Sequence, residues 1–192
     1  MSLETRTITA EEFEVFIESD ENADRHLELI DGEIVEDMPT EEHSIIVANI
    51  YRPLYEYVMT NRLGRVVFEV RRKVVGDDRN VRIPDLDFTT IARLQEREDK
   101  LVRRGAVMQM PNLAVEVQSP EQSLKLMSDK ADYYLKNGSQ IVWLVYPAKR
   151  FVEVLTTDDR QLLFSGDTLT GGDLLPEFTL AIDDVFKVDD LV

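Results

Sequence analysis

Ten residues set the terms for the rest of the chain: Pro111-Asn112-Leu113-Ala114-Val115-Glu116-Val117-Gln118-Ser119-Pro120. The run is apolar, partly β-branched and closed by a proline at each end, which marks a short core strand. Side chains on a strand alternate faces, so Leu113, Val115 and Val117 share one face while Ala114, Glu116 and Gln118 share the other. A carboxylate beside an amide in a core strand costs free energy unless something binds them. A metal ion with its waters is one such partner; solvent over that face is the other.

A second strand is expected over Val81-Arg82-Ile83-Pro84-Asp85-Leu86-Asp87-Phe88, with Asp85 and Asp87 on one face. Two strands then supply carboxylates, and Mg²⁺ is usually held by one or two carboxylates plus waters. After the Glu116 strand, residues 122–137 read as a helix that stops at Gly138. At about 100° per residue, Lys125, Asp129, Asp132 and Lys136 fall on one polar side. Lys130 lies inside the apolar arc, between Leu126 and Tyr134. A lysine there either snorkels outward or points at something negative. From a helix packed near the strand it follows, the carboxylates are within its reach.

The remaining elements follow from local patterns. Thr9-Ala10-Glu11-Glu12 has capping-box spacing and starts a helix. Asp31-Gly32 between alternating residues predicts a β-hairpin over 26–36. Ile46, Val47, Ile50, Leu54, Tyr57 and Val58 form the stripe of a long helix over 40–62, with Pro53 expected to kink it. His43, at the start of that stripe, reads as a satisfied, partly buried histidine. Strands are expected over 65–75 and 81–89, around a turn at 76–80. Residues 91–110 read as a helix and loop, and 141–146 as a continuous apolar central strand. Strands at 151–155 and 161–164 follow, then loop and a last short helix over 171–186. Strand, helix and strand around Glu116, Lys130 and Trp143 predict a parallel crossover; the earlier strands predict an antiparallel meander. The fold class is α/β (α+β): a mixed central sheet flanked by helices, in a single domain over 1–192.

Composition narrows the chemistry. The chain has 192 residues, 43% hydrophobic and 31% charged, enough for a real core. It has no cysteine, which excludes disulfides, thiolate nucleophiles and zinc–thiolate sites and fits a cytoplasmic location. No apolar run is long enough to span a bilayer, and residues 1–10 lack a signal pattern. Two histidines and no Gly-x-Ser-x-Gly elbow argue against a Ser-His-Asp hydrolase. The net charge of −16 counts against broad nucleic-acid affinity, because phosphate binding needs Lys and Arg. Arg71-Arg72-Lys73 and Arg103-Arg104 are the tight basic clusters, and each reads as a solvated strand or loop face.

Pro84-Asp85 followed by Glu116-Val117-Gln118 resembles the PD-(D/E)XK nuclease pattern, with Gln118 where the lysine usually stands. A longer ordered set resembles one family within it. That set is Glu28-Leu29-Ile30-Asp31-Gly32-Glu33-Ile34-Val35-Glu36, His43, Pro84-Asp85, Val115 to Pro120, Asp129-Lys130-Ala131-Asp132-Tyr133-Tyr134, Gly138 and Trp143-Leu144-Val145. The family is Uma-two, small proteins with a restriction-endonuclease-like fold, and the similarity runs over about residues 8–186. The resemblance implies a metal-dependent endonuclease that hydrolyses phosphodiester bonds. Asp85 and Glu116 would be the principal ligands of Mg²⁺, with Mn²⁺ as a substitute and the Val117 carbonyl as a third oxygen. Glu28 would add an acidic group from the first hairpin. Gln118 and Lys130 would orient the attacking water and stabilise developing charge. The implied substrate is nucleic acid, DNA first, and the implied assembly a homodimer with no membrane partner. Gln118 and the acidic charge keep open an alternative: a catalytically inactive domain of this fold, serving as a dimeric interaction or metal-binding module. Ser119-Pro120 is expected to end the strand and cap the next helix.

Overall fold

A computed structural model describes residues 7–22, 25–99 and 101–188. They fall into two units interleaved along the chain: Met1–Met38, Val70–Ile83 and Leu101–Met110 contribute to the first, and Pro39–Glu69, Pro84–Lys100 and Pro111–Val192 to the second.

The first unit opens with helix α1 (Ala10–Ile17), and its capping box forms as expected: the Thr9 side chain accepts from the Glu12 N–H, and Glu12 returns the bond to the Thr9 N–H. Strands β1 (Leu27–Ile30) and β2 (Glu33–Glu36) pair antiparallel. Asp31 and Gly32 between them both have positive φ, 52° and 86°, the geometry of a two-residue hairpin turn. Ala10, Phe13, Ile17, Leu27, Leu29 and Val81 form this unit's core. Isolated bridges of Leu29 with Val81 and of Arg72 with Val107 tie its three chain segments together, and Arg72 with Arg82 closes the middle one on itself.

The second unit begins with α2 (Glu41–Asn61), which continues through Pro53. Ile46, Ile50, Leu54 and Val58 are buried, each worth about 1.5–3 kcal/mol of apolar burial. Then come β3 (Gly64–Phe68), β4 (Leu86–Thr90), α3 (Ile91–Glu96), β5 (Leu113–Val117), α4 (Leu124–Lys136), β6 (Ile141–Tyr146), β7 (Phe151–Leu155) and β8 (Arg160–Leu163). The six strands form one sheet in chain order, antiparallel throughout except for the β5–β6 pair, which is parallel. Helix α4 is the crossover that a parallel pair requires.

Three stretches depart from the sequence expectation. The strand expected over 65–75 ends at Phe68, and beyond it only Arg72 forms isolated bridges. Residues 81–89 do not make one strand: Val81 and Arg82 form only bridges, and β4 starts at Leu86. Pro84 has no N–H to give a ladder, and it stands where the strand is interrupted. The 171–186 tail is not loop alone: β9 (Thr168–Gly171) and β10 (Leu175–Ala181) pair antiparallel with a register shift, before the short helix α5 (Ile182–Val185).

Leu113, Val115, Val117, Trp143 and Val145 share a core with α2 and with Phe178 and Leu180 of β10. Trp143 stacks on Phe178, with ring centroids 5.9 Å apart. On the opposite face of β5 lie Ala114 and Glu116, and α4 covers Glu116. No helix among the described residues is long and apolar enough to cross a membrane.

Candidate active site

Asp85 occupies the break before β4 that Pro84 creates. Its Oδ2 accepts the Val117 N–H at 2.6 Å, which ties it to the end of β5. The same oxygen lies 3.2 Å from His43 Nε2, close enough for an ion pair when the imidazole is protonated. His43 stands in the first turn of α2, where its backbone N–H donates to the capping Thr40 hydroxyl at 3.2 Å. The two side chains are 5% and 14% exposed. Together with Pro39, Ser44, Val47, Phe68 and Glu69 they line a pocket of about 330 Å³. A carboxylate held by one backbone amide and facing such a pocket keeps oxygen lone pairs for a ligand.

Glu116 is handled differently. Lys130 Nζ donates to its Oε2 at 2.9 Å, and the Tyr134 hydroxyl donates to its Oε1 at 2.6 Å. The lysine and glutamate side chains are only 2% and 3% exposed. Two charges this deep are tolerable because each compensates the other and a phenol takes the second oxygen. Lys130 and Tyr134 are one turn apart on α4, so a single helix face delivers both donors. Of the two courses open to Lys130, pointing inward at a carboxylate is the one taken.

The other sequence-selected residues have these positions. The Gln118 side-chain amide donates to the Gln122 carbonyl at 2.8 Å, so it folds onto the loop that follows β5. Its backbone N–H donates to the Val145 carbonyl at 2.8 Å. Glu28, in the first unit, is buried, and its Oε1 accepts the Ile83 N–H at 2.7 Å. The structure therefore joins Glu116 with Lys130 and Asp85 with the Val117 backbone, while Gln118 bonds its own loop. The cap expected at Ser119 is made by Ser123, whose side chain accepts the Leu126 N–H at 3.1 Å. Ser119 is instead buried, 2% exposed, and its hydroxyl has no hydrogen-bond partner among the described residues. Tyr134 is the site residue that sequence reasoning had placed only on an apolar arc; its spacing of four from Lys130 was the available signal.

Carboxylate and carbonyl oxygens are the donors that Mg²⁺ or Mn²⁺ prefers, so Asp85, Glu116 and the Val117 carbonyl suit such an ion in kind. Among the described residues no group of three or more His, Cys, Asp and Glu is arranged to hold a metal by itself. An ion that keeps several waters and takes oxygens from substrate phosphate does not need such a cage.

The sequence model of the family described as "Uma2: Putative restriction endonuclease" matches residues 10–183. The chain belongs to the Uma2 family. A solved structure similar to this Uma2 chain is that of a putative nuclease belonging to DUF820 from Anabaena variabilis ATCC 29413. The two superpose with a TM-score of 0.78 at 26% identity, over 93% of this chain and 97% of that one. No curated protein matches the chain. The Uma2 chain thus has the mixed α/β, nuclease-like fold that its sequence resembled.

Proposed function

We propose that this Uma2 protein is a divalent-metal-dependent endonuclease that hydrolyses phosphodiester bonds, with DNA as substrate. The observation that carries the reading is the pairing of Glu116 with Lys130, on the strand whose Val117 amide also fixes Asp85. Asp85, Glu116 and the Val117 carbonyl are the residues that would hold Mg²⁺ or Mn²⁺. When bound, such an ion neutralises phosphate charge and lowers the pKa of a bound water. The chain itself supplies position and charge. The Val117 N–H fixes the Asp85 carboxylate, so a ligand meets it already oriented. Lys130 sets its ammonium against Glu116, where it can stabilise negative charge that develops on a phosphate. Tyr134 fixes the other Glu116 oxygen, which leaves that side chain little freedom to lose on binding. Gln118 keeps its carboxamide oxygen, which the bond to Gln122 does not use, to orient the water. Two copies act as a homodimer, the commonest closed symmetry.

One observation favours a second reading, a catalytically inactive domain of this fold: the Gln118 amide is spent on the Gln122 carbonyl. A single experiment separates the two. Supercoiled plasmid, linear duplex, single-stranded DNA and RNA are incubated with the protein in Mg²⁺, Mn²⁺ or EDTA. Asp85→Asn and Glu116→Gln are run alongside, with folding checked by circular dichroism. The nuclease reading expects metal-dependent cleavage that both substitutions abolish. Cleavage that persists in both, or that is absent from the unsubstituted protein on every substrate, supports the inactive domain.

A further inference from the structure

The two basic clusters of the sequence lie in different segments of the first unit, and the fold draws them together. Backbone bonds set the register: the Val107 N–H donates to the Arg71 carbonyl at 2.8 Å, and the Lys73 N–H to the Val107 carbonyl at 2.9 Å. Gly105, with φ of 72°, supplies the turn just after Arg103 and Arg104. As a result Arg71, Arg103 and Arg104 line one pocket of about 400 Å³, with Glu14 and Glu18 of the α1 segment on its other side.

The chain carries 38 acidic residues against 22 basic ones, so unpaired arginines are not the default outcome. Among the described residues, the side chains of Arg71, Arg103 and Arg104 have neither hydrogen-bond nor ion-pair partners. Arg103 and Arg104 are exposed and Arg71 half-buried. Three guanidiniums left with open donors are suited to phosphate, which they grip through two parallel N–H bonds each. With two carboxylates opposite, the pocket has a net charge of about +1, on a protein that is otherwise strongly negative.

We infer that this pocket of the first unit is a phosphate-backbone grip for nucleic acid, formed by Arg71, Arg103 and Arg104 and restrained by Glu14 and Glu18. The choice of a nucleic acid over a free anion rests on the nuclease reading above. The grip gives a chain of charge −16 a local positive surface for such a substrate. The two glutamates keep it weak, which favours release over tight non-specific binding.

The test is fluorescence anisotropy of a short labelled DNA duplex with the full chain in EDTA, where no cleavage occurs, across a salt series. Each phosphate contact contributes about 0.9 to the slope of log affinity against log salt on duplex DNA. Arg103→Ala/Arg104→Ala should therefore weaken binding and make that slope shallower by about 1.8. Arg103→Lys/Arg104→Lys should restore the slope, because an ammonium also neutralises a phosphate. Glu18→Gln, at an exposed position, should tighten binding several-fold, an effect that loss of structure would not produce. Unchanged affinity and slope in the arginine-to-alanine variant, or no duplex binding by the unsubstituted protein, overturns the inference. Cleavage is scored separately with Mg²⁺. Arginine-dependent binding without cleavage keeps the grip and removes the enzyme. Cleavage sensitive to Asp85→Asn with arginine-independent binding keeps the enzyme and removes the grip.

Discussion

Separating Lys130 from Glu116 is the sharpest perturbation the second unit offers. At 2.9 Å the pair attract by about 6 kcal/mol if the effective dielectric constant is about 20. Burial of both charges consumes much of that, so the quantity to measure is the cost of stranding one partner, about 3–5 kcal/mol. Glu116→Gln leaves a buried ammonium facing a neutral amide and belongs at the upper end. Lys130→Met leaves a carboxylate that Tyr134 still donates to at 2.6 Å, and belongs at the lower end, about 3 kcal/mol. In the double variant no buried charge is stranded, so it should cost no more than either single change. The coupling energy is then at least as large as the larger single loss, about 5 kcal/mol, well outside additivity. Urea unfolding followed by circular dichroism reads this directly. With a slope of about 2–3 kcal/mol per molar, Lys130→Met should lower the midpoint by about 1–1.5 M, and the double variant should recover part of that loss. A Lys130→Met midpoint within error of the unsubstituted protein, or strictly additive singles, would refute the claim that the two charges depend on each other.

Three further outcomes are expected. Asp85→Ala removes the acceptor of the Val117 N–H and should cost about 1–3 kcal/mol in the same unfolding assay, whereas Asp85→Asn keeps an acceptor and should cost less; equal losses would count against the bond. Gly64→Ala would put a Cβ 2.1 Å from the Thr89 carbonyl oxygen, so β3 and β4 must part; a loss of about 1–3 kcal/mol or more is expected, and a neutral result would contradict this strand spacing. The Tyr146 phenol is pushed upward from its ordinary value, first by burial and then by Glu153, to which it donates at 3.2 Å. Because the folded value is the higher one, its stabilising contribution is complete below the unfolded value of about 10 and is lost as pH rises above that. Tyr146→Phe should flatten the alkaline limb of the stability–pH curve, and an unchanged limb would remove Tyr146 as its cause.

What the sequence disclosed was mostly local. The Thr9–Glu12 capping box, the Asp31-Gly32 turn and the apolar runs at Leu113–Val117 and Ile141–Tyr146 encode their geometry within a few residues, and each forms. Lys130 was legible because helical periodicity placed a charge among apolar neighbours, a conflict that only an acidic partner or solvent resolves. The β9–β10 hairpin was obscured because Gly171, Gly172 and Pro176 are loop-like in isolation and the pairing carries a register shift. The start of the helix after β5 was misplaced because Ser119 and Ser123 are both competent caps, and only the path of the intervening loop selects between them. The meeting of Arg71 with Arg103 and Arg104 depends on bonds between segments some thirty residues apart, which no window of sequence contains.

The interleaving of the two units bears on how this chain is made. Its first unit needs residues up to Met110, yet by then the ribosome has also released α2, β3, β4 and α3, which belong to the second. Those elements must wait, with apolar faces exposed, for β5 to β8 and the final hairpin. Neither unit corresponds to one stretch of the gene, so no single truncation liberates either intact. Closing the first unit also means closing chain loops that contain parts of the second, an entropic cost that grows only slowly with loop length. The first unit therefore has all its segments once Met110 is made, whereas the second stays incomplete until Ala181, and the apolar faces of its early elements are uncovered over that interval.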